Sequence, residues 1–156
     1  MYINTDELQL PLNLKEDIFF HIADIVLADY YDEIPDFTLT FVEPEFIQEL
    51  NRNYRNADAV TDVLSFESDG EVDPETEKAY LGDIIICAKQ AEKQAEMSGH
   101  PLEAEIALLE IHGLLHLLGY DHITDAEREE MWKYQNMYLD KCGIKLNRRP
   151  GEDFDF

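Results

Sequence analysis

The sequence predicts an α+β fold, a small mixed β-sheet packed on several helices, with a buried central helix that carries histidines. Three observations lead there. Helical and strand periodicities alternate along the chain without the regular strand-helix-strand rhythm of a doubly wound parallel sheet. The run from Ile106 to Leu118 is apolar nearly all round, as expected of a helix with no solvent face. The strand candidates are few and short, so the sheet is small.

The elements follow in order. After a short apolar start at Tyr2 and Ile3, Asn13 and Glu16 have the spacing of an N-cap and its N3 partner. Leu14, Ile18, Ile22, Ile25 and Val26 then repeat at helical spacing, which predicts a first helix reaching about Tyr30. His21 lies within it, has no second ligand at helical spacing and reads as structural. Pro35-Asp36 marks a turn, and Phe37, Leu39 and Phe41 alternate with Thr38, Thr40 and Val42 as a strand with one buried face. Pro44 suits the first residue of a helix whose core side would carry Phe46, Ile47, Leu50 and Tyr54. Helical patterning fails from Arg55 to Ala59, and Val60 to Phe66 supplies the β-branched and aromatic residues of a second strand.

Glu67 to Lys78 is acidic, contains Gly70 and Pro74, and reads as an exposed, mobile loop. Ala79 to Cys87 forms a third strand, with Ile84, Ile85 and Ile86 suited to burial on both faces, and Ala88 to Ser98 a helix. Gly99-His100 breaks the pattern and Pro101 restarts it, with Glu103 and Glu105 in the first turn of the central helix, where the helix dipole favours negative charge. Thr124-Asp125-Ala126-Glu127 is a capping box, Met131, Tyr134 and Tyr138 follow at helical spacing, and Gly143 can stop that helix. Residues 1–150 read as a single domain and 151–156 as a disordered acidic tail.

Composition narrows the function classes. The 156 residues suffice for one core without staples, and two cysteines, Cys87 and Cys142, are too few for a disulfide framework and form no Cys-x2-Cys pair. No stretch is long and apolar enough to span a bilayer, and no basic region precedes a hydrophobic segment at the N-terminus, so the expectation is a soluble cytoplasmic protein. The formal charge of -23 disfavours non-specific attraction to phosphate. The few basic residues partly cluster: Arg52 and Arg55 stand alone between Glu16 and Glu77, and Lys141, Lys145, Arg148 and Arg149 lie near the C-terminus.

Chemistry concentrates in His112-Gly-Leu-Leu-His116-Leu-Leu-Gly119-Tyr-Asp-His122. On a helix, His112 and His116 differ by about 40° in azimuth and about 6 Å in rise, so both imidazoles can reach one ion. Gly119 permits the left-handed turn that ends the helix, and the reversed chain can return His122 to the same ion. A lone histidine on an apolar helix is usually a core residue. This spacing arises by chance in such a composition on the order of a few times in ten thousand. Three nitrogen donors with an open position are the pattern of a catalytic metal, whereas a structural zinc is closed by four.

The spacing matches the zinc motif of metzincin proteases, His-Glu-x-x-His-x-x-Gly-x-x-His, with one difference. Their general base follows the first histidine, and here that position is Gly113. Glu110 cannot substitute easily, because it lies about 200° around the helix from His112. The proteolytic reading keeps its metal and loses its base.

The run His112 to His122, together with Leu50-Asn51, Tyr54-Arg55, Thr61-Asp62-Val63-Leu64-Ser65-Phe66 and Leu81-Gly82-Asp83-Ile84, resembles the YbeY family. These are metal-dependent endoribonucleases that act in ribosomal RNA maturation and ribosome quality control. The sequence departs from the family pattern at Asn56, Val60 and Glu67, where a small or basic residue, a proline and a proline are usual. The resemblance implies an α+β fold in which His112, His116 and His122 bind one zinc ion per chain and Arg55 lines the cleft as the catalytic arginine. It implies a single-strand-specific endoribonuclease in 16S ribosomal RNA 3' end maturation. The implied partners are ribosomal RNA and the small ribosomal subunit or its proteins; the sequence does not reveal the oligomeric state, and a monomer is the default.

A guanidinium can hold a phosphate by two parallel hydrogen bonds and stabilise charge developing on it. The general base stays open between the metal's water, Asp83, Asp121 and a ribose hydroxyl. Asp121 can equally orient a neighbouring histidine. Two rival readings stand beside this one: a non-catalytic ribosome-assembly factor whose zinc stabilises the fold, and a metalloprotease.

Overall fold

The computed structural model describes residues 1–10, 12–70, 72 and 74–146; the expected acidic tail lies outside them. Among the described residues nine elements follow one another: β1 (Tyr2–Asn4), α1 (Asp17–Ala28), β2 (Asp36–Val42), α2 (Pro44–Arg55), β3 (Val63–Glu67), β4 (Tyr80–Cys87), α3 (Ala88–Ser98), α4 (Leu102–Leu117) and α5 (Asp125–Lys141). The four strands form one sheet in the order β1-β2-β4-β3. β1 and β4 flank β2 in parallel and β3 runs antiparallel to β4, so the sheet is mixed, as expected.

Helix α4 is the axis of the fold. Thirteen of its sixteen residues are buried, and it packs against α1, α3, α5, β3 and β4. A helix enclosed by five elements has no face on which a polar side chain costs nothing, which explains the all-round apolar run. The main core lies on this side of the sheet, built from α1, α4, α5 and residues such as Leu39, Phe41, Ile84 and Ile86. A smaller cluster of Val42, Ile47, Leu64, Ile85 and Cys87 lies on the other face, under α2.

That second layer explains where the pattern reading fell short. β2 is buried on both faces, because it runs inside the sheet with α2 covering the side that Val42 faces. On α2 the expected core side holds only in part. Ile47 and Asn51 are buried, but Phe46 is 37% exposed and Tyr54 63% exposed. The supposed cap of α1 does not form: the helix starts at Asp17, with Glu16 at its N-cap and no side-chain cap hydrogen bond. β1 went unrecognised in the sequence because three residues carry no periodicity; register with Thr38, Leu39 and Thr40 makes it a strand. The second strand begins at Val63 rather than Val60.

Other local signals worked as the chemistry requires. The Thr124 side chain accepts from the Glu127 amide at 3.1 Å and starts α5. Gly119 adopts φ +104, and the Gly119 and Tyr120 amides bond back to the His116 and Leu115 carbonyls, which closes α4 in a Schellman motif. Gly82 is compelled by a close approach: a Cβ there would run into the Phe66 carbonyl oxygen where β3 pairs with β4.

Candidate metal centre and cleft

The three histidines converge. One nitrogen from each of His112, His116 and His122 lies within 4.8 Å of the other two. His112 is 2% exposed, and the other two are half-buried. The arrangement follows from the local fold: the helical spacing sets the first pair, and the turn at Gly119 brings the chain back.

Hydrogen bonds decide which nitrogens face inward. His112 Nδ1 lies 2.9 Å from Gln135 Oε1, and His116 Nδ1 lies 3.0 Å from the Tyr120 carbonyl. Both oxygens accept, so both rings carry their proton on Nδ1 and turn a bare Nε2 inward. The two Nε2 atoms are 3.0 Å apart. Two lone pairs at that separation repel unless a cation lies between them, so the donor set fits a metal ion that favours imidazole nitrogen. Burial holds the His112 imidazole well below the ordinary histidine value, with the neighbouring His116 adding to it. His116 is lowered too, by burial first, then by His122, with the Arg55 charge contributing. Both rings therefore stay neutral and able to ligate below the pH at which free imidazole protonates.

Gln135 escaped the sequence reading. It occupies the core stripe of α5 between Met131 and Tyr138 and is fully buried. A lone amide inside an apolar helical stripe was the available signal.

Gly113 has a packing reason. A Cβ there would lie 2.8 to 3.0 Å from three side-chain atoms of Ile84, which is fully buried on β4. Any side chain, a glutamate included, would meet that isoleucine. Glu110 is absent from the cleft lining: it is fully buried, its carboxylate oxygens have no hydrogen-bond partner among the described residues, and burial raises it well above the carboxylate range.

The triad opens into a cleft of about 970 Å³ that runs along the outer edge of β3 and includes Arg55, Ser65 and Phe66. Arg55 is the last residue of α2, on the opposite face of the sheet from α4, and it reaches the cleft around the β3 edge. Its Nη2 donates to the Ser65 carbonyl at 2.8 Å, and its guanidinium sits 5.0 Å from the centre of the Phe66 ring. Asn56, a departure from the family pattern, takes the left-handed conformation (φ 57) that ends α2 just after Arg55; asparagine tolerates that conformation well.

The candidate bases separate. Asp121 lines the cleft, and its carboxylate accepts the His122 amide at 2.8 Å, so it shapes the turn that presents His122. Asp83 is absent from the cleft lining and accepts from the Tyr80 hydroxyl at 2.9 Å. Thr61 and Ser65 line the cleft, and Ser65 Oγ donates to the Gly113 carbonyl at 3.4 Å. His21 is exposed on α1, away from the triad, and His100 is buried against Glu105.

A mixed sheet backed by a buried helix, with two imidazoles on that helix and a third on the turn after it, defines a protein with a three-histidine group that could hold a metal ion, facing an open cleft. The comparisons name the group. The family model for Endoribonuclease YbeY matches residues 3–143, and this chain belongs to that family, hydrolases acting on RNA. It is 47% identical over 112 residues to Endoribonuclease YbeY of Staphylococcus carnosus, covering 70% of this chain and 73% of that one. The counterpart of Macrococcus caseolyticus is 44% identical over 117 residues, covering 73% and 76% of the two chains. The solution structure of a Thermotoga maritima protein superposes with a TM-score of 0.59 at 25% identity, over 98% of this chain and 97% of that one.

Proposed function

We propose that this chain is a zinc-dependent endoribonuclease that cuts single-stranded segments of ribosomal RNA. The reading extends to 16S ribosomal RNA 3' end maturation and ribosome quality control in the cytoplasm, with residues 1–150 working as one domain. The carrying observation is the convergence of one nitrogen from each of three imidazoles within 4.8 Å, with the Nε2 atoms of His112 and His116 3.0 Å apart, beside the cleft that Arg55 lines. A zinc ion held by His112, His116 and His122 would supply Lewis acidity and a water acidic enough to ionise near neutral pH.

The protein's own groups supply the rest. Gln135 and the Tyr120 carbonyl orient two of the rings. Arg55 holds a non-bridging phosphate oxygen pair and stabilises the charge that develops there. Its bond to the Ser65 carbonyl and its contact with Phe66 fix the guanidinium before substrate arrives. Single strands are favoured because the in-line geometry at a phosphodiester is hard to reach inside a stacked A-form duplex.

The test is cleavage of ribosomal RNA by purified protein with and without chelator. His116→Ala and Arg55→Ala are each expected to lower cleavage at least about a hundredfold with the fold intact. Equal cutting by wild type and His116→Ala would assign the activity to a contaminant and sink the reading. The rival assembly-factor reading draws support from the charge of -23, which slows free approach to RNA. It would win if small-subunit particles still bound the Arg55→Ala protein and no cleavage rose above background.

A further inference from the structure

The cleft poses an electrostatic problem. Among the residues that line it, Arg55 is the one lysine or arginine, and Glu67 and Asp121 line it too. On a chain of charge -23, so little phosphate neutralisation yields little affinity for RNA. Affinity has to come from contacts that do not depend on charge.

Such a contact stands beside the cleft, against one of its lining residues. Tyr54 lies in the last turn of α2, immediately before Arg55, and is 63% exposed. Exposing a large aromatic ring leaves apolar area in water that the helix could have turned inward. The ring is nevertheless braced: it meets Phe66 edge to face, with centroids 5.5 Å apart and planes at 75°. Phe66 is half-buried, lines the cleft, and carries the Arg55 guanidinium against its own ring. One aromatic residue thus holds both the phosphate-binding arginine and an exposed tyrosine in fixed relation. A nucleotide whose phosphate sits on Arg55 has its base within reach of the neighbouring side chain on the same helical turn.

We propose that Tyr54 is a stacking platform for an unpaired base adjacent to the phosphate held by Arg55, with Phe66 as its brace. The platform rests on the endoribonuclease reading above and deepens it by assigning a positioning and affinity residue. Stacking is sequence-tolerant and needs an unstacked base, so the platform selects single strands without selecting a sequence.

The experiment compares wild type, Tyr54→Ala, Tyr54→Phe and Tyr54→Trp on a short single-stranded RNA and on versions with one abasic nucleotide at successive positions. Tyr54→Ala is expected to raise KM roughly ten- to a hundredfold, with kcat and metal content within about twofold of wild type. Phe and Trp should restore KM, since either offers a ring face. One abasic position should weaken the wild type by a similar factor and leave Tyr54→Ala unaffected. An unchanged KM for Tyr54→Ala, or an abasic penalty equal in both proteins, overturns the platform.

Anisotropy of a labelled RNA gives a second readout that does not need turnover. If wild type binds without cutting, the activity reading fails, and the platform stands or falls on whether Kd rises with Tyr54→Ala. If wild type neither binds nor cuts, both fall.

Discussion

At the N-terminal end of α4, Glu105 pairs with His100 at 2.7 Å and accepts from Gln94 at 2.9 Å, while Gln94 also donates to Asp62 at 3.1 Å. At the C-terminal end, His112 and His116 turn two bare nitrogens toward each other at 3.0 Å. Both clusters are polar groups on the most buried helix of the molecule, yet they differ in closure. In the first, donors and acceptors answer one another, and the Gln94 carbonyl oxygen is used as well, by Gln90. In the second, the hydrogen bonds to Gln135 and Tyr120 face outward and leave the inner side electron-rich. A closed network holds elements together: here α3, α4 and the start of β3. An open one has room for something from outside, as the proposed metal site requires.

Removing a ligand has the largest expected effect. His112→Ala or His116→Ala should abolish metal uptake, read by elemental analysis after dialysis, while the far-ultraviolet circular dichroism stays native. Metal retained at full stoichiometry by either variant would show that the open cluster is not the centre.

Glu105→Ala should do the reverse. It removes the carboxylate that His100 and Gln94 share in the core and is expected to cost on the order of 3–5 kcal/mol in urea unfolding, with metal stoichiometry unchanged in the folded protein. A cost below about 1 kcal/mol would mean that the network is not structural.

Asp62 sharpens the contrast through pH. Burial is the main cause that raises its carboxyl from the usual 3.8 to about 6. Between those values the folded protein keeps a proton that the unfolded chain releases. The contribution is therefore fully present below about pH 4 and is lost as pH rises through about 6, a swing on the order of 3 kcal/mol. The histidines act with opposite sign: their lowered values make protonation of the unfolded chain destabilise the fold as pH falls below 6.5. Urea titrations of metal-free wild type and Asp62→Asn at pH 4 to 7 separate the two, because only the wild type carries the Asp62 swing. Parallel stability curves would refute the assignment.

The smallest expected effect concerns the outward support of the open cluster. Gln135→Leu removes the acceptor from His112 Nδ1 and should weaken metal affinity roughly ten- to a hundredfold in competition titrations. Gly113→Ala, which pushes on Ile84, should cost about 1–3 kcal/mol of stability and leave the affinity near wild type.

The amino-acid sequence by itself determined the triad, the burial of α4, the turn at Gly119 and the Thr124 cap. Each of these is a local matter, set by 3.6-residue periodicity or by hydrogen bonds a few residues apart. The absence of a protease base at Gly113 was also plain in the sequence. Its reason was not: only the packed structure puts Ile84 against that glycine.

Contacts between distant segments carry no such period. His112 and Gln135 are 23 residues apart and Ser65 and Gly113 are 48 apart, and neither spacing leaves a mark in the chain. Arg55 was singled out by resemblance, but its place in the cleft depends on β3 being an edge strand around which α2 can reach. The same topology decided that Phe46 and Tyr54 remain exposed, although helical periodicity assigned both to the core. Periodicity reports which residues share a face; what covers that face, or leaves it open to a ligand, is settled only when remote elements pack.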